Sequence, residues 1–275
     1  MPLTSLLGLH QSQGDLARQD ANQIHYPEAG SSALAKVEAD HFWFTERRAA
    51  VLWLLREFSV AKRQQEPICG LDLGCGSGFT SVWLSELGYP TLGVDAHRGF
   101  AEYQASGRGF GFLQGDILSL EPKAEFDFLL LLDTLEHIEN DRDFLNHAAK
   151  ALKPGGIVIA TVPAFIWLWS AADDRAGHFR RYVRSDLSRF EDLPGSKLKI
   201  QFASYFYLST LPLFLLHRSL GRIRHKSIQD DVAPLSSTIL NSALKWLLKA
   251  EFALARRFTL PVGSSLFVVL QKKAD

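Results

Sequence analysis

The segment Leu71-Asp72-Leu73-Gly74-Cys75-Gly76-Ser77-Gly78 constrains this chain more than any other. Three glycines at alternate positions follow an apolar run, residues 68–73, and precede a helix-like stretch, residues 79–87, that stops at Gly88. Only glycine tolerates the backbone angles such a turn needs and leaves no Cβ between the chain and a ligand. A strand, a glycine loop and a helix in that order open a βαβ unit, and the loop then lies where open parallel sheets bind ligands. The spacing selects among ligands. A triphosphate-binding loop requires Gly-Lys-Ser/Thr, whereas Gly78-Phe79-Thr80 has no lysine. A dinucleotide fingerprint is Gly-x-Gly-x-x-Gly; here the pattern is Gly-x-Gly-x-Gly, with Asp72 two residues ahead of it. An acid at that place repels a pyrophosphate and favours a cationic ligand.

The alternation continues downstream. Residues 90–94 form a short strand that runs into Asp95, and residues 110–114 form another, followed by Gly115-Asp116. Residues 126–132 are almost wholly apolar, as a strand covered on both faces should be. Residues 141–152 read as a helix stopped by Lys153-Pro154-Gly155-Gly156, and residues 157–162 as a buried strand closed by Pro163. The series predicts an α/β fold, a parallel sheet with helices on both faces. Before it lie a polar lead-in, residues 1–30, and a helical stretch, residues 31–65, with Trp43, Arg47, Ala50 and Leu54 on one stripe. After it, residues 197–203 alternate as a strand, residues 207–224 and 236–257 read as helices, and residues 265–271 as a strong strand.

Charge and cysteine content narrow the function classes. Thirty Lys and Arg balance thirty Asp and Glu, so the surface as a whole is no nucleic-acid footprint, and no appended RNA-binding module is visible. Cys69 and Cys75 are the two cysteines, too few for a disulfide framework and suited to a reducing compartment. The first twenty residues have neither a positive n-region nor a long apolar h-region, so a cytoplasmic protein is expected. The apolar run 205–216 precedes His217, Arg218, Arg222, Arg224, His225 and Lys226, which reads first as a core helix with a solvated basic end and otherwise as a lid, an interface or a peripheral contact of residues 205–226 with the inner face of the membrane. The histidines are scattered without zinc-like spacing, and no metal is expected.

Four acids stand at four strand ends. Asp72 precedes the loop, and Asp95, about 20 residues on, is placed to bind ribose hydroxyls. Asp116 is placed to accept from an adenine amino group with Ile117 packing on the ring, and Asp133 ends the fourth strand. In combination, residues 72–78, Asp95, Gly115-Asp116-Ile117, residues 127–133 and Leu152-Lys153-Pro154-Gly155-Gly156 resemble the ordered motifs of class I S-adenosylmethionine-dependent methyltransferases, over residues 68–163. The resemblance implies a doubly wound, Rossmann-like sheet of seven strands. Strand seven would be antiparallel beside strand five, with residues 197–203 as strand six and 265–271 as strand seven. It also implies that Asp72 and Gly74 meet the methionine end of the cofactor, Asp95 the ribose and Asp116 the adenine. Cys75, Gly76, Gly78, Ala96, Ile117 and Asp133 complete the expected cofactor set. His41-Phe42-Trp43-Phe44 with Arg47-Arg48, and Gly177-His178-Phe179-Arg180-Arg181-Tyr182, resemble segments of one bacterial subgroup, type 11/12/23-like, many of whose members are connected with cell-envelope sugars or lipids.

The chain then divides into an N-terminal lead-in and helical cap, residues 1–65, and a methyltransferase domain, residues 66–275. The domain holds a substrate loop, residues 164–195, and a helical insertion between strands six and seven, residues 205–262. The expected reaction moves a methyl group from S-adenosylmethionine to a small-molecule, sugar or lipid-linked acceptor, with oxygen favoured, and leaves S-adenosylhomocysteine. His178 is the candidate base. His137 is a second candidate, with a structural place in its turn as the other reading. Tyr182 would orient the acceptor, Arg180 and Arg181 would hold an anionic group, and Trp43 and Arg47 complete the substrate set. The rivals are an NAD(P)-dependent oxidoreductase, disfavoured by the glycine spacing, and a non-catalytic cofactor-binding scaffold at a membrane surface.

Overall fold

A computed structural model of the chain describes residues 37–59, 68–96, 111–115, 124–191, 193–194, 197–212, 215 and 238–274. Seven strands form one sheet in the order β3-β2-β1-β4-β5-β7-β6. They are β1 (Gly70–Leu73), β2 (Thr91–Asp95), β3 (Gly111–Gln114), β4 (Phe126–Leu132), β5 (Leu152–Pro163), β6 (Leu198–Phe206) and β7 (Ser265–Lys272). β1 to β5 pair in parallel, while β7 runs antiparallel between β5 and β6. This is the doubly wound seven-stranded arrangement that the motifs imply. β4 sits at the centre because Phe128, Leu129, Leu130 and Leu131 can all be covered: each is fully buried. Gly70 of β1 pairs with Phe128, and a Cβ there would lie 2.0 Å from the Phe128 ring, which is why the strand tolerates no side chain at that point.

Helix α1 (Phe42–Phe58) is shorter than the predicted stretch; the His41 side chain accepts from Trp43 N at its start. α2 (Phe79–Glu86) follows the glycine loop, and α3 (Asp141–Ala148) is capped by Asn140. Residues 149–151 tighten into a 3-10 turn, and β5 begins already at Leu152. The stretch Lys153 to Gly156 is therefore part of a strand, not a helix stop. Leu152 pairs with Phe126 across a register shift, and Lys153 Nζ reaches the Asp127 carboxylate at 2.9 Å, so tertiary pairing overrides the local Pro-Gly signal.

The predicted substrate loop is folded. A 3-10 turn (Ile166–Leu168), helix α4 (Ala171–Ala176) and a 3-10 run (Arg184–Phe190) pack Leu168, Tyr182, Leu187 and Phe190 into the interior. Between β6 and β7, α5 (Thr238–Ala255) lies on α1 and β6, where Trp53 meets Phe202 and Phe252 edge-on at 5.4 Å each. Of the helix expected over 207–224, only residues 207–212 and 215 are described; the basic cluster from His217 to Lys226 lies outside, as do residues 1–36, Asp116 and Ile117. No described helix is long and apolar enough to cross a membrane.

Candidate active site

The carboxyl ends of the parallel strands and of β6 share one edge, and three of the four described non-glycine residues with positive φ lie there, the fourth being Lys197 ahead of β6. Asp133, Phe165 and Tyr207 follow β4, β5 and β6 with φ of 55°, 54° and 64°, angles that side chains rarely adopt. Such positions persist where the surroundings over-determine them, and they cluster at functional sites.

On the β1–β2 side the edge is made of backbone. Gly74 has φ 72°, and a Cβ there would come within 2.8 Å of Thr134. Gly76 has φ 55° and nothing within 4 Å of where its Cβ would stand, so the loop faces open space. The Gly76 amide donates to Asp95 Oδ2 at 2.8 Å, which ties the acid ending β2 to the loop after β1. Asp72 is buried and accepts from Ser81 Oγ at 2.5 Å, while its Oδ1 has no partner among the described residues. Burial raises the Asp72 carboxyl to about 7, against the Ser81 hydrogen bond and Arg47, which lower it. Burial also pushes the Cys75 thiol up, helped by the nearby carboxylates, so it is no ready nucleophile. The Ala96 carbonyl accepts from Gln114 Nε2 at 3.3 Å, linking the ends of β2 and β3. Glu38, which the sequence did not single out, is buried against the loop and accepts from Ser77 Oγ; the Arg48 guanidinium in turn donates to the Glu38 carbonyl at 2.7 Å.

On the β4–β5 side the edge is made of charged side chains. Asp133 accepts from Thr161 Oγ1 at 2.9 Å and from Arg47 at 2.5 Å. Arg47 is thus a clamp that holds Asp133 in its strained conformation rather than a free substrate ligand. Trp43 stacks on Tyr207 at 3.8 Å, and the Tyr207 hydroxyl donates to the Trp43 carbonyl at 3.0 Å. Thr134 Oγ1 donates to the Leu73 carbonyl, joining the turn after β4 to the end of β1. Glu136 and His137 lie buried in the following 3-10 turn. Burial, with Asp133 nearby, raises the Glu136 carboxyl well above the ordinary range and favours its neutral form.

His178 is delivered to this turn from α4. The Phe179 amide donates to the Glu136 carbonyl at 2.8 Å, and the His178 and His137 rings meet edge-on at 4.7 Å. His178 Nδ1 is 3.0 Å from Asp173 Oδ1, with the His178 side chain 15% exposed. Burial alone would raise the Asp173 carboxyl, but the His178 hydrogen bond and the Arg181 guanidinium outweigh it and hold it at about 2. Glu136, His137 and His178 also bring one metal-ligating atom each within 4.8 Å of one another, a set invisible in the sequence because His178 arrives from a distant segment.

Three further expectations change. Tyr182 is fully buried, pairs with Ala164, and donates its hydroxyl to Asp141 Oδ2 at 2.8 Å, so it cannot touch an acceptor. Burial and Asp141 push its phenol further up, away from any acid–base duty near neutral pH. Arg181 is spent on Asp173 at 2.7 Å and on the Ala164 carbonyl at 3.0 Å. Arg180 pairs with Asp141 at 3.0 Å and donates to the Glu139 carbonyl at 2.5 Å. Arg181 ties the substrate segment to itself and Arg180 ties it to the start of α3; they are not a free anion fork.

The family model for the methyltransferase domain matches residues 71–160. Residues 71–160 are thus similar to a methyltransferase domain. The match runs from β1 into β5 and so contains the glycine loop, Asp95 and Asp133. A ubiquinone biosynthesis O-methyltransferase of Caulobacter vibrioides is 30% identical over 132 residues, 45% of this chain and 52% of that protein. A second, from Caulobacter sp. strain K31, is 32% identical over 148 residues, 48% and 59% of the two chains. The chain thus spans about half the length of these curated relatives. Among solved structures, phosphoethanolamine N-methyltransferase 2 of Haemonchus contortus superposes with a TM-score of 0.55 at 16% identity, covering 93% of this chain and 59% of that one. The cyclase SpnF superposes with a TM-score of 0.51 at 17% identity, covering 82% and 80%. The chain therefore shares its fold with a protein named for other chemistry, and function has to be argued from the site.

The site fits the cofactor that the domain implies. The unpartnered Asp72 oxygen suits a cationic group, Asp95 suits a diol, and the bare Cα of Gly76 leaves room for close approach.

Proposed function

We propose that this chain is an S-adenosylmethionine-dependent methyltransferase acting on a hydroxyl of a small or lipid-linked acceptor and releasing S-adenosylhomocysteine. The observation that carries the reading is a juxtaposition at one sheet edge. The glycine loop with Asp72 and Asp95 stands on one side, and the Asp173–His178 pair beside the turn after β4 on the other. When bound, the cofactor supplies an activated methyl group on a cationic sulfur. Asp72 meets the positively charged end and Asp95 the ribose hydroxyls. Asp133 is held at the same sheet edge by Arg47 and Thr161.

Asp173 is ionised and can only accept, so His178 Nδ1 is its donor and Nε2 carries the lone pair. Nε2 takes the acceptor proton, and the Asp173 carboxylate stabilises the resulting imidazolium. A base placed in this way contributes roughly 10²–10⁴-fold, and alignment supplies the rest. The curated relatives are named for O-methyl transfer, which supports an oxygen acceptor.

The test is transfer of a labelled methyl group from S-adenosylmethionine to paired hydroxyl and amine acceptors drawn from envelope sugar and lipid extracts. Labelled methyl ethers are expected. A methylated amine would overturn the oxygen assignment, and binding without transfer would favour the scaffold rival.

A further inference from the structure

Helix α5 turns an apolar face to solvent. Its buried residues Asn241, Leu244, Leu248 and Ala255 lie on one side. On the opposite side Ile239 is 80% exposed, Trp246 77%, Leu247 45% and Leu254 50%. At the helical repeat these four fall within an arc of about 100°, and the same arc holds only Ala243 and Ala250 besides. Phe258, just past the helix, is 64% exposed and extends the stripe. A surface helix ordinarily keeps this side polar, and an exposed apolar patch of this size marks a contact surface.

Charge narrows the occupant. Lys249 lies exposed on one flank of the helix and Arg257 exposed at the end of the stripe, while the Arg256 guanidinium lies over the Trp53 and Phe252 rings. Glu251, the only acid in the helix, is turned inward, where it accepts from the amides of Leu208 and Ser209. A second copy of the chain would bring like cations together, with no acid among the described residues of this arc of α5 to meet them. An anionic lipid surface offers both an apolar layer for the tryptophan and leucines and headgroups for the cations. Because no described helix can cross a membrane, the face lies on the bilayer rather than through it.

We infer that the outer face of α5 docks the protein on an anionic membrane surface. The placement suits a lipid-linked acceptor. α5 contacts α1 where Asn241 Oδ1 accepts from Phe42 N at 2.8 Å, and α1 carries the Arg47 that clamps Asp133. The docking itself is independent of the reaction proposed above and needs no cofactor.

The test is co-sedimentation of the full chain with phosphatidylcholine vesicles, with and without phosphatidylglycerol. Binding to the anionic vesicles is expected, weakened by salt and by Lys249→Glu. The double substitution Trp246→Ser, Leu247→Ser, at exposed positions outside the site, should weaken binding by about tenfold or more while leaving cofactor binding unchanged. Wild-type protein that ignores both vesicle types would overturn the inference. So would undiminished binding by the double variant, or a wild-type dimer by light scattering that the double variant splits.

Discussion

After β1 and β2 the cleft edge is lined by backbone: Gly74, Gly76 and an amide bonded to Asp95. After β4 and β5 it is lined by charged side chains locked to one another: Arg47 on Asp133, Arg181 and His178 on Asp173, Arg180 on Asp141. The first half presents an open surface that any nucleoside of the right charge can meet. The second half has little spare charge to offer, and among its groups His178 combines partial exposure with an orienting carboxylate. On the proposed reading, recognition of the cofactor and activation of the acceptor are built from different materials.

The largest expected effect falls on the second half. His178→Ala should lower kcat by roughly 10²–10⁴-fold with cofactor affinity unchanged, read by parallel turnover and titration. Unchanged turnover would remove His178 as the base.

The two halves should also answer pH in opposite senses. The Asp72 carboxyl, raised to about 7, lends stability that is present at acid pH and lost as the pH rises through 7, about 4 kcal/mol in full. Asp72→Asn should flatten that dependence in thermal melts of the ligand-free protein. The Asp173 carboxyl, held at about 2, lends stability present above about pH 4 and lost as the pH falls toward 2, about 2 kcal/mol. Asp173→Asn leaves Arg181 buried beside a neutral group and should cost about 3 kcal/mol at neutral pH, read by denaturant unfolding.

Smaller effects sharpen the division. Asp95→Ala removes the acceptor of the Gly76 amide and should weaken S-adenosylmethionine binding by about ten- to a hundredfold, with less effect on the melting point. Tyr182→Phe should cost about 1 kcal/mol of stability and leave kcat within a factor of two or so, since its hydroxyl serves Asp141 and not the cleft. A large loss of kcat in that variant would restore Tyr182 to the acceptor site.

The same contrast explains what could be read from the chain alone. The cofactor half is local in sequence. A glycine loop, its preceding acid and Asp95 all lie within one βαβ unit, and residue types suffice to place them. The seven-stranded order followed from the family resemblance, and β4 was bounded correctly because its run of apolar residues is unbroken. The acceptor half is assembled from afar: Arg47 meets Asp133 across 86 positions, and Tyr182 meets Asp141 across 41. A segment rich in Arg, Asp and Tyr looks the same in sequence whether its charges face a ligand or each other. Glu38 carries no local signal either, since nothing in its neighbourhood shows that a carboxyl in the turn before α1 folds back on Ser77. The outer stripe of α5 was overlooked because apolar spacing alone cannot tell an inner face from an outer one.

The most direct test of the central claim is calorimetric titration of the folded protein with S-adenosylmethionine, with NADH in a parallel cell. The account predicts saturable binding of S-adenosylmethionine near one per chain, weakened in Asp95→Ala, and no heat from NADH. Silence with S-adenosylmethionine, or saturable heat from NADH, would contradict it.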